Sequence, residues 1–153
     1  LLAEEIIDQL HETLQSRVRA VLGHPAGTVV LEEPRDVARR DLVTSVVAHV
    51  ARLLKRDPHA AAEAVANGFP LPQLVKSVTA EASGELTFRF RRGAFTCELW
   101  RRLGGDAADE HAMERLTLDD GVDDARWRAV RRNDVPDADP RAVVELFRGP
   151  LLQ

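Results

Sequence analysis

From Leu86 to Arg91 the chain alternates without a break: Leu86, Phe88 and Phe90 fall on one side, and Thr87, Arg89 and Arg91 on the other. A repeat of two is the signature of an extended strand with one face in the core and one in water. This stretch confines the fold more than any other, because a half-buried strand needs partners and a covering layer. Val75 to Glu81 reads as a second strand. Ala82-Ser83-Gly84 between them suits a tight turn, so a hairpin is expected. Thr28 to Glu32, closed by Pro34, is a third strand candidate.

Most of the remaining chain reads as helix. Leu2, Ile6, Leu10, Leu14, Val18 and Leu22 recur every four residues, and Gly23 is placed to end the helix they define. A long helix is expected over Asp41 to Arg56, with Val43, Val46, Val47, Val50, Leu53 and Leu54 on its apolar face and Arg52, Lys55 and Arg56 at its carbonyl end. Asp57-Pro58 restarts a short alanine-rich helix that Gly68 stops, by the pattern of a capping aspartate followed by proline. Phe95, Leu99, Trp100 and Leu103 mark a further helix ending at Gly104-Gly105. Beyond it the pattern is helical throughout: Asp106 to Leu116, a segment carrying Trp127 and Val130, and a segment from Asp139-Pro140 that runs up to Gly149-Pro150. The expected fold class is α+β, a small and mainly antiparallel sheet packed against helices, with a helical C-terminal third.

A length of 153 residues, 44% of them hydrophobic and 30% charged, is one domain's worth of globular chain and too apolar for disorder. No apolar run approaches the ~20 residues of a membrane span, and no basic-then-apolar leader opens the chain. With one cysteine, Cys97, neither a disulfide framework nor a cysteine-rich zinc site is available. A cytoplasmic protein without membrane contact is expected. The chain opens on leucine, which is consistent with a piece of a longer polypeptide.

Charge is uneven. Residues 1–103 carry 14 basic and 13 acidic side chains, whereas residues 104–153 carry 7 and 12. The expected organisation is an α+β domain over 1–103 and an acidic helical extension over 104–153 packed on the same core. The five histidines, His11, His24, His49, His59 and His111, make no close pair at metal-ligand spacing. The chain has no Gly-x-Ser-x-Gly elbow, Walker lysine or glycine-rich dinucleotide turn. Asp119, Asp120, Asp123 and Asp124 surround Gly121 but lack the alternating ligands and closing glutamate of an EF-hand, so they read as a solvated acidic loop. No catalytic residues, cofactor or metal are expected.

Within segment 28–92, Val30-Leu31-Glu32-Glu33-Pro34, Arg40-Asp41-Leu42, Val50-Ala51-Arg52, Asp57 to Glu63, and Ser83-Gly84-Glu85-Leu86-Thr87-Phe88 follow one another in a set order. In that order the segment resembles the N-terminal additional domain of arginyl-tRNA synthetases. Order and spacing match, while single letters depart: Arg40 stands for a glycine, Ser45 and Thr87 for asparagines, and Glu85 for a phenylalanine. The His-x-Gly-His and Lys-Met-Ser-Lys-Ser-type motifs of that family's catalytic core are missing, so the resemblance implies a noncatalytic relative, a paralogue or a fragment. It also implies contact with the D-loop side of the tRNA elbow through positions corresponding to Arg89, Arg91, Arg92 and Phe95. Arg101 and Arg102 extend the same cationic run, and an aromatic beside cations suits phosphate binding with base stacking. The expected function is tRNA or RNA binding. The alternative is a protein-interaction module that keeps the fold, favoured by the repulsion that the twelve C-terminal carboxylates would exert on a phosphate backbone.

Overall fold

The computed structural model describes residues 1–34 and 40–148. Its elements, in chain order, are α1 (Leu2–Leu22), β1 (Leu42–Thr44), α2 (Val46–Leu53), α3 (Pro58–Ala66), β2 (Val75–Ala80), β3 (Leu86–Phe90), α4 (Arg92–Arg102), α5 (Glu110–Asp119) preceded by a single 3-10 turn, α6 (Asp124–Arg132) and α7 (Pro140–Glu145). They gather into two compact units. One is Ile6–Phe90; the other joins Leu1–Glu5 to the chain from Arg91 onward. The expected Gly149-Pro150 stop lies outside the described residues.

In the Ile6–Phe90 unit, the strands form one antiparallel sheet of order β1-β3-β2. The alternating strand is therefore the central one. Leu86 and Phe88 are fully buried and Phe90 nearly so, and the Phe88 ring meets Phe69 edge-on at 5.5 Å between centroids. The α1 stripe folds as its four-residue spacing demands, with Leu10, Leu14 and Val18 fully buried and Leu22 nearly so. Arg17, on a neighbouring face of α1, donates from Nη2 to the carbonyls of Val65 and Asn67 at 3.1 and 2.7 Å. It thus satisfies oxygens that α3 leaves unpaired at its end.

The β2–β3 turn is fastened to the start of α3. Asp57 caps α3 by accepting the Ala60 N–H at 2.9 Å, and Pro58 follows at the first helical position. Gly84 adopts φ +90 in the turn, and a side chain there would place its Cβ 2.6 Å from the Pro58 Cβ. Only glycine permits both the conformation and the approach. Next to it, His59 Nδ1 donates to the Glu81 carbonyl at 2.9 Å and Nε2 meets Glu63 Oε1 at 2.9 Å. The bond to the Glu81 carbonyl raises the imidazole pKa above its ordinary 6.5; desolvation opposes it, and the Glu63 carboxylate and the charge of Asp57 add to the rise. A raised folded-state pKa contributes stability that is complete below the unfolded value and is lost as pH rises through the folded one. The melting-temperature gap between wild type and His59→Gln should therefore narrow between about pH 5 and about pH 9. A gap constant across that range would show that the ring acts without its charge.

Three expectations are corrected here. Residues 41–44 are not the first turn of a long helix. Leu42, Val43 and Thr44 pair with Phe88, Thr87 and Leu86, and α2 begins only at Val46. Asp41 anchors that strand: it is 5% exposed, its N–H donates to the Phe88 carbonyl, and its Oδ2 accepts the Phe90 N–H at 2.7 Å. Thr28–Glu32 is not a strand but supplies one bridge, Glu32 to Val43. Thr87 does not face water; it is 4% exposed, and its hydroxyl donates to Glu81 Oε1 at 3.1 Å.

In the other unit, α1 is capped from far along the chain. Both oxygens of the buried Asp134 carboxylate accept backbone N–H groups of its first turn, from Leu2 at 3.0 Å and Ala3 at 2.8 Å. Cap aspartates also start α6 (Asp123) and α7 (Asp139). Met113, Leu116, Trp127, Val130, Val143, Val144 and Phe147 supply the unit's interior.

Candidate nucleic-acid interface

The six residues expected to meet RNA fall into different environments. Arg89 lies on β3 opposite Ser77, half-buried, its Nε enclosed without a hydrogen-bond partner among the described residues. Arg91 stands at the start of α4 and is exposed. The next two functional candidates turn inward. Arg92 is 5% exposed, donates from Nη1 to Asp124 Oδ1 at 2.7 Å, and holds its guanidinium carbon 5.3 Å from the centre of the Trp127 ring. Phe95 is fully buried and meets Trp127 edge-to-face at 5.0 Å. Its place on the apolar side of α4 outweighs its place beside cations, because an aromatic ring gains more by packing on a second ring than by facing water. A base cannot stack on Phe95 while Trp127 occupies its face, and Arg92 does not present its cation to solvent.

The start of α4 is closed by the loop that sequence alone marked as acidic and solvated. Asp120 Oδ1 accepts the Gly93 N–H at 2.8 Å, and Asp124 holds Arg92. A carboxylate placed where a helix presents unpaired N–H groups is a stable arrangement, so with Asp123 capping α6, three of the four aspartates have structural partners. At the other end of α4, Arg101 and Arg102 are exposed but engaged. Arg101 reaches Glu114 at 3.6 Å; Arg102 binds Glu98 at 3.1 Å and also Glu5. The bond to Glu98, then that to Glu5, raise the Arg102 pKa further above its ordinary value.

Sequence reasoning missed the outer face of α2. His49, Arg52, Leu53, Lys55 and Arg56 are exposed, with Leu53 at 59%. The visible signal is a stretch from Ser45 to Arg56 without one acidic residue. Leu53, expected on the apolar face, turns outward instead, on a helix that begins five residues later than expected. Open grooves flank α1, one of them of about 540 Å³ along Glu12, Ser16 and Arg19. Among the described residues no group of three histidines, cysteines or carboxylates is gathered as a metal site, and no helix is long and apolar enough to cross a membrane.

A three-stranded antiparallel sheet covered by helices, with its hairpin pinned to a helix start, defines an α+β domain. The chain belongs to the family of the arginyl tRNA synthetase N terminal domain, whose model matches residues 2–90. Among solved structures it is similar to the arginyl-tRNA synthetase of Thermus thermophilus, at 24% identity and a TM-score of 0.51, over 65% of this chain and 16% of that one. The likeness shows the fold, and the aligned part is a small fraction of that synthetase's length. No curated protein matches the chain.

Proposed function

We propose that this chain is a noncatalytic RNA-binding module whose partner is tRNA, met at the elbow on the D-loop side. The observation that carries the reading is family membership over residues 2–90, which contain the whole sheet and its pinned hairpin. The physical support is a set of exposed arginines, whose planar fork suits phosphate oxygens. Within the site read from the sequence, roles divide by exposure. Arg91 is exposed and in no ion pair among the described residues, so it is available to a phosphate backbone, and Arg89 is partly so. Arg101 and Arg102 are exposed but would have to exchange carboxylate partners for phosphate, and Arg92 and Phe95 act from the interior by holding the start of α4 against Trp127. The cytoplasm is the compartment this reading requires.

Two measurements test it. Whole tRNA should bind the purified chain at low salt, with log affinity that falls by about 0.7–0.9 per tenfold rise in salt for each phosphate contacted. The same chain should give no arginine-dependent ATP–pyrophosphate exchange. Absence of tRNA binding at low salt would overturn the reading and favour the protein-interaction alternative, which the ion-paired arginines of the Arg91-onward unit support. Exchange activity would overturn its noncatalytic part.

A further inference from the structure

We infer that the outer face of α2 and the corner after it, Arg52, Lys55 and Arg56, form a phosphate-contact surface for RNA. This rests on the RNA-binding reading and adds a surface that the resemblance does not supply. In the unit from Arg91 onward, Arg91, Arg115, Arg128 and Arg132 are exposed and, among the described residues, in no ion pair, but Arg101, Arg102, Arg126, Arg131, Arg141 and Arg148 each have a carboxylate partner. A phosphate would have to displace that partner, which offsets most of the gain. Arg52, Lys55 and Arg56 are exposed, and among the described residues none of them is in an ion pair. Asp57, the nearest acid in sequence, is committed to capping α3.

The end of α2 makes this placement chemically usable. A bare helix C-terminus repels anions through its unpaired carbonyls. Here the Leu54 N–H donates to the Val50 carbonyl at 3.0 Å, the Lys55 N–H to the Arg52 carbonyl at 3.1 Å and the Arg56 N–H to the Ala51 carbonyl at 2.8 Å, so three carbonyls of the last turn are taken. The closure puts Lys55 at φ +55, a left-handed position where glycine is the ordinary occupant. A lysine held at a glycine position, between two arginines and in a stretch without an acid from Ser45 to Arg56, is not accounted for by the helix dipole alone, which Arg52 in the last turn already complements. Three cations close in sequence around one corner suit successive phosphates of a backbone.

The test compares tRNA affinity and its salt dependence in wild type, the triple variant Arg52→Ala/Lys55→Ala/Arg56→Ala, and Lys55→Gly. The triple variant should keep its melting temperature, lose affinity, and show a salt slope flatter by about 2–3 logarithmic units, one contact's worth per cation removed. Lys55→Gly relieves the backbone and removes one charge. It should melt no lower than wild type while its slope flattens by about 1. A triple variant that binds tRNA with wild-type affinity and slope overturns this inference and leaves the RNA-binding reading standing. A wild-type chain that fails to bind tRNA but binds polyglutamate through these residues overturns both and assigns the face to an acidic protein.

Discussion

Replacing Phe95 with alanine should destabilise the protein by about 3–5 kcal/mol, the range for deleting a buried aromatic side chain. The ring is fully enclosed and loses its edge-to-face contact with Trp127, which adds about 0.5–1.5 kcal/mol beyond area burial. The α4 start, Arg92 over the same Trp127 ring and Asp124 behind it, gives the vacated space little freedom to collapse. Equilibrium urea unfolding measures the effect, and the exposed Arg91→Ala provides the contrast, with an expected change within about 0.5 kcal/mol. At a temperature where Phe95→Ala is still folded, tRNA affinity should match wild type. A variant as stable as wild type that has lost affinity would return Phe95 to a stacking role and show that Trp127 yields to RNA.

Phe95 also shows where sequence reading stops. Its position on the apolar side of a helix is visible from Leu99 and Trp100, and so is its position among arginines. Which neighbour wins is decided by Trp127, 32 residues away along the chain, which no local period reveals. The same limit explains residues 41–44. Val43 continues the helical valine stripe of 46, 47 and 50, but Asp41 takes the Phe90 N–H and Val43 lies between Glu32 and Thr87, so tertiary pairing overrides local propensity. Where local chemistry is self-sufficient the reading holds. The α1 stripe, the Asp57-Pro58 and Asp139-Pro140 starts, and the Ala82-Ser83-Gly84 turn all appear where their residue types require them. The family was legible because it lies in the order and spacing of such self-sufficient pieces, even with single letters changed. The interface was less so. A count of arginines does not distinguish Arg92, sealed by Asp124, from Arg52, which has no carboxylate partner among the described residues.

Gly93→Ala should be severely destabilising, although alanine in place of a helical glycine ordinarily stabilises by about 1 kcal/mol. A Cβ at position 93 would lie 1.8 Å from the Leu116 carbonyl oxygen, 2.6 Å from its carbon, and 3.2 Å from the Asp120 Cα. All three are backbone atoms, so no rotamer change relieves the overlap; α4 and the end of α5 must move apart. That movement stretches the Gly93 N–H bond to Asp120 and the Arg92 pair with Asp124, the two links through which the acidic loop holds the start of α4. The cost should reach or exceed the upper end of the ~1–3 kcal/mol of ordinary overpacking, because side-chain adjustment is the usual relief and none is available. Urea unfolding of Gly93→Ala beside Gly23→Ala separates the causes. Gly23 has nothing within 4 Å of its built Cβ and only a positive φ of 67° to lose, so its change reports backbone strain alone. A Gly93→Ala protein no less stable than Gly23→Ala would mean that α4 and α5 do not meet backbone to backbone, and that the aspartate loop does not hold α4 from this side.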